Sequence, residues 1–113
     1  MEAIGARLAA AVALRTAITW MVPAVGSLPR AAQAGAVPYL RLWGLVAGGW
    51  QMGRAASIAA GHLRDGTGDP AFMKAKIATA RYYAECLVPQ AAGLALTVTE
   101  GGETALALAA DQF

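Results

Sequence analysis

The chain has 113 residues, 58% of them hydrophobic and 14% charged, with a formal net charge of +2. That length holds one domain with a single core. The small and scattered basic charge excludes a nucleic-acid backbone as partner, and the single cysteine, Cys86, excludes an internal disulfide. Globular domains ordinarily carry about 25% charged residues. The shortage predicts a surface completed by something else, whether a partner subunit, another domain or a lipid surface.

The first helix is expected over residues 3–25. Its larger apolar residues, Ile4, Leu8, Val12, Leu14, Ile18, Met21, Val22 and Val25, recur at spacings that draw one helical face. The alanines between them favour helix. Pro23, Gly26, Ser27 and Pro29 end it. Glu2 stands where a secretory signal needs positive charge, so no such signal is expected. No membrane span is expected either. The uncharged runs 16–29, 42–53 and 86–99 are all shorter than the roughly 18–20 residues a bilayer crossing needs.

Residues 27–37 read as a connection, with a helical turn around Ala31 to Ala34. The second helix is expected to start near Pro38, a residue suited to a first turn, and to run to about His62. From Tyr39 to Met52 it is apolar nearly all round, which predicts a central, buried helix. Gly44, Gly48, Gly49 and Gly53 make two pairs of small residues four apart. Each glycine costs about 1 kcal/mol of helix propensity. The compensation expected is close approach of a neighbouring backbone or a large ring.

Gly61, Gly66 and Gly68 mark a loop. Asp69 then caps a third helix that begins with Pro70. Phe72, Ile77, Ala80, Ala84, Leu87 and Val88 form its apolar side, and Arg81 is placed to pair with Glu85. Pro89 should kink this helix, because it cannot donate to the carbonyl of Glu85. The pattern resumes through Ala92, Leu94, Ala95, Leu96 and Val98. Gly101 and Gly102 are expected to break it, with a short last helix over residues 103–110. The fold class that follows is all-α: an up-and-down bundle of three long antiparallel helices plus a short C-terminal helix, one domain over residues 1–113.

Catalytic machinery is not evident. His62, the one histidine, sits at a helix end, where it faces solvent or caps carbonyls. One histidine and one distant cysteine do not make a zinc site. Cys86 lies beside the apolar stripe of the third helix and reads as a small hydrophobe. Residues 65–69 lack the alternating acids of a calcium loop and are explained as a helix stop and an N-cap. The glycines of the second helix follow no strand and do not have phosphate-cradle spacing. No catalytic, cofactor-binding or metal-binding residue is therefore assigned. Tyr39, Trp43 and Trp50 share one helical face. Core packing is the plainer explanation. A docking surface is the sharper one, since tryptophan and tyrosine are enriched at interface hot spots. Arg41 and Arg54 bracket the segment, either to meet acids across such an interface or to solvate its ends. The interface candidates are thus Tyr39, Trp43, Trp50 and Arg54.

Two blocks carry a resemblance. The first is Tyr39-Leu40-Arg41-Leu42-Trp43-Gly44-Leu45-Val46-Ala47-Gly48-Gly49-Trp50, followed by Arg54-Ala55-Ala56. The second is Asp69-Pro70-Ala71-Phe72, then Lys76-Ile77-Ala78-Thr79-Ala80-Arg81-Tyr82-Tyr83-Ala84-Glu85, then Leu87-Val88-Pro89-Gln90-Ala91-Ala92-Gly93-Leu94. In order and spacing they resemble the C-terminal helical domain of acyl-CoA dehydrogenases, in the branch with an additional domain that includes methylmercaptopropionyl-CoA dehydrogenases. The resemblance covers essentially the whole chain. It implies a cytoplasmic, FAD-dependent parent enzyme that oxidises an acyl-CoA between its α and β carbons. The base, the flavin site and the CoA site belong to upstream domains, so none maps onto this sequence. The partners implied are those catalytic domains, and a homodimer is expected. The competing hypothesis is a stand-alone helical module that binds an apolar ligand or a partner helix.

Overall fold

The computed structural model describes the backbone of residues 2–112 and the side chains of residues 7–112. Four α-helices follow in order: α1 (Glu2–Ser27), α2 (Pro29–Asp65), α3 (Pro70–Tyr82) and α4 (Ala91–Leu106). A π-helical turn (Tyr83–Leu87) and a 3-10 turn (Val88–Gln90) join α3 to α4, and a last 3-10 turn spans Ala110–Gln112. No strand occurs among the described residues.

The face that α1 buries overlaps only partly the one its large residues draw: Met21 is buried and Leu14 packs against the core, but alanines supply the rest. Ala10, Ala13, Ala17, Met21 and Ala24 are buried, whereas Leu8, Val12, Val22 and Val25 are 63–67% exposed. The buried set repeats at spacings of three and four, so it too is a helical stripe. Alanine brings helix axes together at the short end of the usual 8–10 Å range. A stripe of small residues wins the interior wherever the facing helix can come that close. Ile4 falls outside the described side chains.

The connection expected over residues 27–37 is helical. α2 starts at Pro29, which takes the first-turn role expected of Pro38, and Pro38 lies inside the helix. An internal proline costs a hydrogen bond and about 3 kcal/mol in an ordinary helix. Here the flanking turn is held by packing. Gly35 is buried, and a Cβ there would lie 2.9 Å from the Val98 carbonyl oxygen and 3.5 Å from the Met21 methyl. Nor is α2 buried all round. Leu42 is completely buried, but Leu40, Trp43, Trp50 and Ile58 are exposed.

Asp69 caps α3 as expected, its carboxylate accepting from the Ala71 N–H at 3.1 Å. The Arg81 Nε donates to Glu85 Oε1 at 2.8 Å. Phe72, assigned to the apolar side, is exposed instead and lies under the Lys76 ammonium. Pro89 does more than kink the helix. With no N–H at that position the ladder slips, and the Val88 N–H donates to the Tyr83 carbonyl, five residues back. The expected break at Gly101 and Gly102 is absent, because α4 continues to Leu106. Gly102 is buried, and a Cβ there would stand 3.2 Å from Ala31, so the glycine serves contact rather than termination. Residues 103–106 extend α4, and no separate short helix over 103–110 forms.

The molecule is long. Its radius of gyration is 18.3 Å and its extents are 64 × 27 × 21 Å, against about 13 Å for a compact chain of this length. Its accessible surface is 7651 Å². A monomeric domain of 11.5 kDa exposes about 5,800 Å². The excess is about a third, and most of the exposed large apolar side chains lie on α1 and α2.

Candidate docking surface

The glycines of α2 seat side chains from two neighbours. The Tyr83 ring lies against Gly48 and Gly49, leaving no space for a Cβ at Gly48, and Val88 closes on Gly49 at 3.1 Å. The Tyr83 hydroxyl donates to the Leu45 carbonyl at 2.8 Å. Burial pushes this phenol above its ordinary value. At Gly53 it is the Arg7 guanidinium that occupies the position of a Cβ. The large ring expected over these glycines is therefore Tyr83, while Gly44 faces open space.

The other side of α2 is uncovered. Trp43 is 43% exposed and Trp50 61%. Tyr39 is half-buried at the edge of the core and meets Trp43 edge to face, with centroids 6.5 Å apart. The Arg54 guanidinium lies 5.2 Å over the Trp50 ring. The four interface candidates thus divide into two neighbouring pairs on one helical face, with Tyr39 shared with the core. Arg41 does not join them: it lies nine residues from Trp50, half a turn away at 100° per residue.

Two adjoining grooves open beside Trp50. The larger, about 310 Å³, is lined by Arg7, Trp50, Gly53, Arg54, Ser57 and Ile58. The smaller, about 160 Å³, is apolar, with Ala10, Ala11, Val46, Gly49 and Val88 in its walls. Arg7 and Trp50 border both. Arg7 and Ile58 were not among the sequence candidates. Ile58 lies one turn beyond Arg54, a spacing that could have signalled it, whereas Arg7 reaches Gly53 only through the packing of α1 on α2.

His62 and Cys86 lie apart from these two grooves. His62 Nδ1 is 2.8 Å from the Thr67 hydroxyl, and the N–H groups of Gly66 and Thr67 both reach the His62 carbonyl. That arrangement closes the end of α2 with Gly66 in the left-handed conformation. Cys86 is exposed rather than packed as a hydrophobe. Over Arg7–Ser27, α1 is long and apolar enough to cross a membrane, with mean hydropathy 1.6. The expectation of no span rested on uncharged runs, and only Arg7 and Arg15 carry charge in this stretch. Its alanine stripe is nevertheless occupied by the other helices.

A flavin does not fit these residues. The glycines lie within α2, where N–H groups are committed to carbonyls four residues back. They cannot cradle a pyrophosphate.

The family described as acetyl-CoA dehydrogenase C-terminal like matches residues 1–109. A 3-methylmercaptopropionyl-CoA dehydrogenase from Ruegeria pomeroyi is 36% identical over 106 residues, which cover 93% of this chain and 18% of that protein. The chain therefore spans less than a fifth of the curated relative it matches. No solved structure matches it.

Proposed function

Since the chain belongs to the acetyl-CoA dehydrogenase C-terminal-like family, we propose that it is the non-catalytic C-terminal domain of an FAD-dependent acyl-CoA dehydrogenase. Its work is to dock on the catalytic domains of that enzyme. The parent reaction in this reading removes hydrogen from the α and β carbons of an acyl-CoA thioester, with flavin, base and CoA site all upstream. The observation that carries the docking role is the uncovered face of α1 and α2. A surface about a third larger than a free-standing domain needs, faced with Leu8, Val12, Trp43 and Trp50, is one that a partner covers.

The reading includes an up-and-down order of the helices. Contacts along α2 support it: Gly35 lies by Trp20 and Met21 while Gly53 lies by Arg7, and Gly49 lies by Val88. It also includes a homodimeric parent and a cytoplasmic compartment, with which the exposed free thiol of Cys86 is compatible.

The experiment is to fuse this chain in place of the matched segment of the Ruegeria pomeroyi enzyme. Flavin content, acyl-CoA turnover and sedimentation are then compared with and without it. The isolated chain is expected to copurify colourless and without turnover. A flavin spectrum on the pure chain overturns the reading.

A further inference from the structure

Every charged side chain between Ala3 and Leu63 is an arginine: Arg7, Arg15, Arg30, Arg41 and Arg54. The acids of the chain, apart from Glu2, all lie from Asp65 onward. Between Ala3 and Leu63 the surface of α1 and α2 thus combines large apolar groups with one sign of charge. Two of these arginines converge on the larger groove. Arg7 is seated against Gly53, and Arg54 is held over Trp50. Neither has a carboxylate partner among the described residues. Guanidinium groups held by packing are pre-organised for a carboxylate, and they lose little freedom on pairing. The Ser57 hydroxyl stands in the same wall, and the apolar recess opens beside it.

We propose that this groove is the anchor of the docking surface, and that it takes an acidic residue flanked by an apolar one from the catalytic domains. The carboxylate is held by Arg7 and Arg54, and the apolar side chain fills the recess walled by Ala10, Val46 and Val88. The proposal rests on the docking reading above and adds its location and chemistry. Charge decides the occupant. Isologous pairing of this face with a second copy brings arginines against arginines, and juxtaposed like charges cost several kcal/mol.

The test uses the fusion described above and the 113-residue chain, with Trp50 oxidation by hydroxyl radicals read by mass spectrometry. Trp50 is expected to be protected in the fusion relative to the chain. The protection should fall about thirty-fold or more in Arg54→Glu, as for truncation of a buried charge pair. Arg54→Gln should lose most of it and Arg54→Lys part of it. Arg41→Glu, the same change half a turn away, should leave it intact. Circular dichroism of each variant verifies the helices. Protection that survives both Arg54→Glu and Arg54→Gln overturns the anchor and leaves docking standing. Absence of protection in the unmodified fusion overturns docking and anchor together. Phosphatidylglycerol vesicles that protect Trp50 in the isolated chain, dependent on Arg54 and without effect from phosphatidylcholine, assign the groove to an anionic membrane and overturn the protein partner.

Discussion

The seam where α1 and α4 meet α2 and the outer face of α1 and α2 are built from opposite ends of the size scale. The seam holds Ala10, Ala13, Ala17, Ala32, Gly35, Ala91, Ala95 and Gly102, with Leu42 and Val98 as its largest fully buried members. The outer face holds Leu8, Val12, Val22, Leu40, Trp43, Trp50 and Ile58. Small residues save little apolar area each, at about 0.8 kcal/mol per buried methylene, but they let backbones touch. Large residues left outside save nothing until something covers them. The seam therefore sets whether this chain folds, and in the docking reading the outer face sets what it joins.

Four measurements break or sharpen that contrast. Leu42→Ala empties the one fully buried leucine of the seam and should lower the unfolding free energy of the isolated chain by about 2–5 kcal/mol, read from urea midpoints. Gly35→Ala drives a Cβ against the Val98 carbonyl and should cost roughly 1–3 kcal/mol, although alanine is the better helix former. If the variant gains stability, the seam is looser than described. Tyr83→Phe removes the bond to the Leu45 carbonyl and should cost about 1 kcal/mol. It should also change the alkaline limb. Burial raises the folded-state value of this phenol, so its contribution is complete below the unfolded value of about 10 and is lost as pH rises through the folded one. The variant should unfold less steeply with pH in that range. Smallest is Val12→Ser on the outer face, expected within about 0.5 kcal/mol in the isolated chain. A large loss there would mean that α1 packs inward on its valine side.

The same contrast explains which parts of the fold were legible in the sequence. Helix content, the Asp69 cap, the Arg81–Glu85 pair and the disruption at Pro89 follow from local chemistry, and the structure agrees. The facing of α1 was misread because residue size was taken as the mark of the interior, and this interior is lined with alanine. Pro38 and the Gly101-Gly102 pair look like punctuation to a local reading. Each is carried through its helix by contacts from elsewhere, Val98 on Gly35 and Ala31 on Gly102. Of the docking candidates, Tyr39, Trp43 and Trp50 come from a shared helical face and Arg54 from its place at the end of that segment. Arg7 was hidden because its role depends on a glycine forty-six positions away on another helix.

The π turn over Tyr83–Leu87 holds one residue more than an α turn of the same pitch would. Deleting a single residue there restores the regular ladder with Val88 still bonded above Tyr83, so the residues that follow keep their facing. The same deletion inside α4 would turn everything after it by about 100° relative to α2 and take Val98 out of the seam. The turn is thus a place in this helical run where a residue can be gained or lost without changing which side chains face inward. Among related domains, gaps of one residue should fall in this turn and in the exposed loop between α2 and α3 and be absent from the middle of α4, a pattern of insertion and deletion rather than of substitution.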